Sequence, residues 1–384
     1  MRILYWTPQF WPETGGIEVL AMNTLPALSE RGYQFLVVAS HGRSEQPDSA
    51  VYKGIPIRRF PFWTTLSKND VSLTLNLQKR IVELKRTFQP DLIHINFSGY
   101  TAFFQQATAK AYPAPTLVSL HSDLTGLDLG PATILGRLFH VADWVTAVSN
   151  ATLTQAQQVI PEIAGRSSMI PGCVGPCDLP PSPLPFDKPC IVGIGRLVHE
   201  KGFDVLLDAI PAVADRFPDL SVRLIGDGPE RFSLEQRTIG LGLKERIEFL
   251  GSIPNDDIPR HINGATLVVI PSRYQEAFGI VALEAGWMTR PVVATCVGGL
   301  AEIVVNEETG LLVEMENSWA LAEAIIRLLS QPEKAEQMGR AARSRIAQEF
   351  SLTNYVQAYD NLYHRLATDH SRRLTHPEDE PSNS

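Results

Sequence analysis

Short apolar runs alternate with stretches of helical period twice along this 384-residue chain, and that alternation constrains its fold more than any other feature. In the first half, residues 3–6, 35–39, 92–95, 116–120 and 144–148 read as buried strands. Between them Ile17, Leu20, Leu25 and Leu28 mark one helix, and Leu73, Leu77, Ile81, Leu84 and Phe88 mark another. Strands that alternate with helices are joined by right-handed crossovers into a parallel sheet covered on both faces. The second half repeats the pattern, with strands expected at 190–194, 221–225, 247–250, 267–270 and 292–295. Helices are expected at 202–216, 230–241, 279–287 and 318–330.

Six prolines fall within residues 176–189. Such a segment continues neither a helix nor a central strand, so it reads as a stiff linker. The length suits two domains of ~100–200 residues each. They are placed at 1–175 and 190–350, with a last helical segment at 351–366 and a disordered polar tail at 367–384. Open α/β sheets bind ligands outside the C-terminal ends of their strands. Two such domains facing across a cleft would therefore carry their chemistry in the loops after the strands.

Composition excludes several alternatives. No stretch reaches the ~18 apolar residues of a membrane helix, and the N-terminus enters a strand at once without a signal-peptide pattern. Cys173, Cys177, Cys190 and Cys296 are too few for a disulfide framework, and no second Cys or His pair stands at zinc spacing. They read as free thiols in a reducing cytoplasm. The net charge of −8 is uneven: residues 1–175 carry 14 Lys+Arg and 12 Asp+Glu, and the remainder 20 and 30. No basic arm is present, which argues against nucleic-acid binding.

Four motifs follow the expected strands. Gly193-Ile194-Gly195-Arg196-Leu197 and His199-Glu200-Lys201-Gly202 put a forked and a point cation in one loop, a set that suits a diphosphate; otherwise it is a turn with two solvated bases. Glu276-Ala277-Phe278-Gly279-Ile280 leads into a helix that carries Glu284. The free N–H groups of that helix start favour phosphate or sugar hydroxyls, and each carboxylate could accept from a hydroxyl. The plainer reading is a capping Glu and a solvated helix Glu. Gly15-Gly16-Ile17-Glu18 offers a second helix start, or simply a flexible turn. His121-Ser122-Asp123 follows a strand directly; there a His binds a ligand, moves a proton, or serves structure alone.

The helix at 71–88 carries Lys79, Arg80, Lys85 and Arg86 away from its apolar stripe, after an aromatic loop Phe60-Pro61-Phe62-Trp63. It reads as an ordinary helix with a solvated basic face, or as a membrane-surface contact. No Ser/His/Asp arrangement and no acidic metal cluster is visible in the sequence.

In order along nearly the whole chain, these residues resemble the family 4 glycosyltransferases, retaining enzymes of the GT-B fold. The resemblance is densest in Gly195-Arg196-Leu197-x-x-Glu200-Lys201-Gly202 and in Pro271-Ser272-x-x-x-Glu276-x-Phe278-Gly279-x-x-x-Leu283-Glu284-Ala285. It continues through residues 291–295, Gly298-Gly299 and residues 309–313, with Gly15-Gly16-x-Glu18 and Ala147-Val148-Ser149 at the N-terminal side. The resemblance implies an α/β, GT-B architecture of two doubly wound Rossmann-like domains, with the last helix crossing back to the first. It implies that Arg196 and Lys201 hold a donor diphosphate, that Glu284 takes the ribose hydroxyls, and that Glu276 with the backbone of Phe278, Gly279 and Ile280 positions the sugar. His121 would reach the donor sugar, Gly16 would lie against the phosphates or the acceptor, and Ile253 near Ser252 would flank the base.

The implied reaction moves a sugar from a nucleoside-diphosphate sugar, most readily a UDP- or GDP-sugar, to a glycan, lipid-linked or small-molecule acceptor, in cell-surface polysaccharide or glycolipid synthesis. It would proceed by front-face attack without a metal cofactor, as the domains close about the prolines. A cytoplasmic location is expected, with peripheral contact at the inner membrane face left open. A nucleotide-sugar 2-epimerase on the same fold and a non-catalytic nucleotide-sugar-binding protein are the alternatives. Two departures stand out: Gly172-Cys173-Val174-Gly175 replaces a familiar interdomain run, and Arg290 stands where Gly is usual, which reads as a loop variation.

Overall fold

The computed structural model describes residues 1–13, 15–42, 46–96, 99–122, 124–130, 132–175, 177–274 and 276–375. The chain divides into two compact units, Met1–Pro171 with Leu352–Ser384, and Gly172–Ser351.

The first unit runs β1 (Arg2–Trp6), α1 (Gly16–Ser29), β2 (Gln34–Ser40), β3 (Ser49–Tyr52), β4 (Ile55–Phe60), α2 (Phe62–Ser67), α3 (Val71–Phe88), β5 (Leu92–Asn96), α4 (Gly99–Ala107), β6 (Thr116–Leu120), α5 (Ile134–Val141), β7 (Trp144–Ala147), α6 (Asn150–Val159) and β8 (Ser167–Met169). Its sheet has the order β3-β4-β2-β1-β5-β6-β7-β8 and is parallel except for the β3–β4 pair. Helices cover both faces, so the middle strands are apolar at consecutive positions; Ile3, Leu4 and Trp6 of β1 are fully buried. The β3–β4 hairpin, absent from the expected strands, turns through Lys53 and Gly54, both at positive φ. Its strands are short and partly exposed, which hides them from a search for apolar runs.

The second unit runs β9 (Cys190–Ile194), α7 (Phe203–Arg216), β10 (Ser221–Ile225), α8 (Arg231–Gly240), β11 (Ile247–Gly251), α9 (Ile258–Asn263), β12 (Leu267–Ile270), α10 (Ile280–Trp287), β13 (Val292–Thr295), α11 (Leu300–Ile303), β14 (Gly310–Val313), α12 (Ser318–Leu329) and α13 (Pro332–Glu349). Its sheet is wholly parallel, in the order β11-β10-β9-β12-β13-β14. Both sheets reverse strand order beside their first strand, which is where ligands bind in such folds.

The chain then enters α14 (Leu352–Thr375), which belongs to the first unit. Buried tyrosines hold it there. The Tyr363 hydroxyl bonds His94 Nδ1 at 2.7 Å, and His94 Nε2 bonds Ser119 Oγ at 2.7 Å. Tyr359 reaches Ser119 Oγ at 3.1 Å and stacks on the His94 ring. At the rim, Arg31 and Tyr33 donate to the Asp360 carboxylate at 2.9 and 2.6 Å. The helix runs past residue 366, so residues 367–375 of the expected disordered tail are helical, while 376–384 lie outside the described residues.

The proline-rich segment is not a free-standing linker. The first unit ends at Pro171 rather than 175, and the prolines belong to the second unit. Prolines lack N–H donors, so the segment's carbonyls are met by side chains from the body. Asn263 Nδ2 donates to Pro180 O at 2.9 Å, and Thr266 Oγ1 to Pro185 O at 3.0 Å. Arg290, fully buried, donates through Nη2 to Ser182 O at 2.6 Å and to Asn263 O at 2.7 Å. It is a strut, not a loop variation.

Lys85 also departs from expectation. It stands four residues beyond Ile81 on the inward face of α3, so it is buried rather than solvated. Its ammonium donates to Thr108 Oγ1 at 2.9 Å, and burial lowers its pKa to about 7.

The α14 anchor yields a test. Tyr363→Ala removes a fully buried ring and should cost about 3–5 kcal/mol in urea unfolding, whereas Tyr363→Phe, losing one hydrogen bond, should cost about 1 kcal/mol.

Candidate functional site

In the second unit the loops after β9 and β12 meet at the strand-order reversal. Lys201 Nζ donates to Glu276 Oε2 at 2.6 Å, and Ser272 Oγ donates to the same oxygen at 3.0 Å. Glu276 Oε1 has no protein partner among the described residues. The carboxylate is thus anchored at one oxygen and open at the other. Arg196, in the same loop as Lys201, is exposed and makes no ion pair among the described residues.

The loop carrying the two cations is held from three sides. Gly202 adopts φ +64°, and a Cβ there would lie 2.1 Å from Pro271 O; only glycine lets the β9 loop pack on the β12 loop this closely. Arg273 forks onto Asp204 at 2.6 and 2.5 Å and donates to His199 O at 3.0 Å. The turn after β10 closes the third side: Leu197 N–H donates to Asp227 O at 3.0 Å, and Glu230 N–H to Leu197 O at 2.9 Å. Gly299 N–H in turn donates to Glu276 O at 2.7 Å, which gives the Gly298-Gly299 motif a part in holding Glu276.

Gly279 precedes α10, whose start has no side-chain cap, while Ala282 N–H already donates to Gly279 O at 2.9 Å; the first N–H groups, at Ile280 and Val281, take no side-chain partner. The Phe278 ring is buried against Phe350, centroids 6.0 Å apart, and fills the space a side chain at position 172 would need. Only its backbone is placed at the helix start. Glu284, one turn into α10, is half-buried and unpartnered among the described residues, and burial raises its pKa to about 7. Ile253 is half-buried and Ser252 exposed in the loop after β11.

In the first unit, Gly16 opens α1, which also lacks a side-chain cap. His121 follows β6 directly. Its Nε2 lies 3.1 Å from Asn96 Oδ1, and burial lowers its pKa to about 4, so the ring is neutral. Asp123 of the same motif lies outside the described residues. Among the described residues no three His, Cys, Asp or Glu side chains gather as a metal-binding group.

Sequence reasoning did not assign Ser272, Arg273 or Asn96 a role. Ser272 stands within the same motif as Glu276, four residues before it. Arg273 and Asp204 are 69 residues apart, and no local spacing pairs them. Asn96 closes a strand expected to end at residue 95.

Two family models match the chain, one described as "Glycosyltransferase Family 4" over residues 14–176 and one as "Glycosyl transferases group 1" over residues 179–345. The GDP-mannose-dependent alpha-(1-6)-phosphatidylinositol monomannoside mannosyltransferase of Mycolicibacterium smegmatis is 28% identical over 357 residues, 88% of this chain and 91% of its own. The glycogen synthase of Mycobacterium tuberculosis is 26% identical over 82% of this chain and 77% of its own. Sucrose-phosphate synthase from Thermosynechococcus elongatus superposes with a TM-score of 0.81 at 23% identity, over 96% of this chain and 99% of its own. Anabaena HepE in complex with UDP gives 0.77 at 24% identity, over 95% and 100%. At these identities the solved structures establish the fold alone.

Glu284 supplies a prediction of sign. Its folded-state pKa of about 7 exceeds the ordinary 4.5, so the folded state keeps its proton longer than the unfolded chain. Stability is therefore lost as pH rises from 4.5 through about 7. Glu284→Gln should melt at a higher temperature than the parent at pH 8 and at the same temperature at pH 4. Equal melting at both values would show a well-solvated carboxylate.

Proposed function

The chain belongs to the group 1 glycosyltransferases of family 4, and from that premise we propose that it transfers a sugar with retained anomeric configuration from a UDP- or GDP-sugar to a glycan, lipid-linked or small-molecule acceptor. The observation that carries this reading is the Glu276 carboxylate, tied at Oε2 by Lys201 and Ser272 and open at Oε1, at the strand-order reversal. An open carboxylate oxygen fixed this way accepts a sugar hydroxyl without reorganising. In the same loops stand the groups a departing diphosphate needs: Arg196, unpaired among the described residues, Lys201, and the uncapped start of α10 at Gly279 and Ile280. Those charges do the work a metal would do elsewhere, so no metal cofactor enters the proposal.

The remaining roles follow the same reading. Glu284, unpartnered among the described residues and in a desolvated setting, accepts the ribose hydroxyls. Ile253 flanks the base, Gly16 serves the phosphates or the acceptor, and His121 serves the transferred sugar. The bond from the anomeric carbon to the diphosphate oxygen breaks, and the acceptor oxygen bonds the same face. The acceptor's proton passes to the departing phosphate. The relatives support a nucleotide-sugar donor: the mycobacterial enzyme is named for GDP-mannose, and HepE was solved with UDP.

Work at a membrane surface is part of the proposal. Trp63, Val71 and Leu75 are 66%, 72% and 52% exposed. Val71, Leu75 and Lys79 share one face of α3 at four-residue spacing, and Lys68 lies in the turn before it. Exposed aromatic and aliphatic side chains beside lysines suit an anionic bilayer.

Arg196→Ala should retain the melting temperature, since the side chain is exposed and unpaired among the described residues, yet lose about 100-fold in transfer from UDP- or GDP-sugars. Full activity in that variant would remove the diphosphate assignment. Conversion of the donor to an epimer with no acceptor present would replace transfer by isomerisation.

For the membrane part, the protein should sediment with vesicles containing phosphatidylglycerol, and Trp63→Ala with Leu75→Glu should abolish this. An unchanged supernatant fraction for the parent would remove membrane contact and leave transfer standing.

A further inference from the structure

In the transferase reading Lys201 has two anions to serve, the Glu276 carboxylate and the donor diphosphate, whereas Ser272 has one. The two residues are also held differently. The Lys201 stem runs beside the turn at Gly195, where a Cβ would lie 3.6–3.7 Å from three of its carbons. Its ammonium meets Glu276 Oε2 at 2.6 Å with both side chains partly open to solvent, 26% and 21% exposed. An ammonium on a flexible four-carbon stem is a movable point charge. A diphosphate carries more negative charge than one carboxylate, so a bound donor draws that ammonium toward itself.

Ser272 lacks that freedom. It is 2% exposed, two residues past the end of β12. Its carbonyl accepts from Thr295 Oγ1 of β13 at 2.7 Å, and the next N–H, that of Arg273, donates to Glu200 O at 2.9 Å. The backbone is thus fixed on both sides of a side chain with one rotatable bond to its oxygen. That hydroxyl lies 3.0 Å from Glu276 Oε2 and has no other acceptor among the described residues. A carboxylate only accepts, so the hydroxyl is the donor. The two carboxylate oxygens are equivalent, and a half-turn of the group still leaves one bound and one facing out. We propose that Ser272 is a positioning residue: with the diphosphate on Lys201, its hydroxyl keeps one Glu276 oxygen anchored and the other aimed at the transferred sugar. The Lys201–Glu276 pair is then the resting contact of the free protein. This assignment deepens the transferase reading and rests on it.

The test compares bare nucleotides with sugar nucleotides, because Glu276 meets only the sugar. Calorimetric Kd values of the full chain for UDP, UDP-glucose, UDP-galactose, GDP and GDP-mannose give the ratio of sugar nucleotide to nucleotide. In Ser272→Ala that ratio should rise about tenfold, the loss of one hydrogen bond to a charged group, with Kd for the bare nucleotide within about twofold. Ser272→Cys, close in shape and a weak donor, should move the ratio the same way and serves if Ser272→Ala fails to fold. In Lys201→Met both Kd values should rise together and the ratio stay within about twofold. A ratio unmoved in both Ser272 variants would overturn the inference. So would equal weakening of nucleotide and sugar nucleotide in them, which is what a loosened loop gives. A tenfold rise of the ratio in Lys201→Met would show Lys201 still holding Glu276 with donor bound, and would overturn it as well. A parent that binds none of these nucleotides removes the donor reading and the role of Ser272 with it, whereas nucleotide binding with an unmoved ratio removes Ser272 alone.

Discussion

A parallel sheet covered by helices on both faces leaves its strand ends as the only place where polar side chains can gather without burying charge. The candidate site of this chain follows from that constraint. The faces are spent on apolar packing, and the strands read accordingly, with β1 and β12 apolar at every position or nearly so. The loops after β9 and β12 then collect Arg196, Lys201, Ser272 and Glu276, and the ends of β5 and β6 collect Asn96 and His121. In the second unit the loops are locked by backbone fit, with Gly202 against Pro271, and by the Arg273–Asp204 fork. The cations are thereby presented on a rigid platform, which is what charge stabilisation of a leaving group requires.

Buried polar groups act differently, tying distant parts of the chain to one body. His94 joins β5, β6 and α14 through two hydrogen bonds, and its neutral ring allows it to sit in the core. Arg290 joins the proline-rich segment to α9, and Lys85 joins α3 to the end of α4. Each would cost several kcal/mol if left unpaired, so each specifies one arrangement more strictly than an apolar contact of equal size. The ends of the second unit are tied in the same way, by Val174 N–H donating to Phe350 O at 3.2 Å.

Much of this was legible from one-dimensional periodicity. Apolar runs of four or five residues with helical stretches between them can be little else than parallel strands, and the motifs fell after those runs. Residues whose signal is local were therefore found: Arg196 and Lys201 in one loop, Glu276 and Glu284 around one helix start. Residues whose partners lie far along the chain were not. Asn96 matters because β5 pairs with β6, and Arg273 because α7 returns beneath it. The half-exposed hairpin of β3 and β4 was missed because its pattern is neither apolar nor helical.

The amino-acid sequence alone determined most strands of the two sheets, the position of the loops after them, and the charged residues within those loops, because hydrophobic period and glycine placement are local properties. Tertiary structure alone decided which of those charges are available. Lys85 looks like a solvated base in the sequence and Arg290 like a loop variation, and both are buried struts; among the described residues Lys201 is paired and Arg196 is not, and one Glu276 oxygen is anchored while the other has no partner. The physical reason is that burial and pairing depend on what lies across a sheet or beneath a helix, and the chain brings those neighbours from tens to hundreds of residues away.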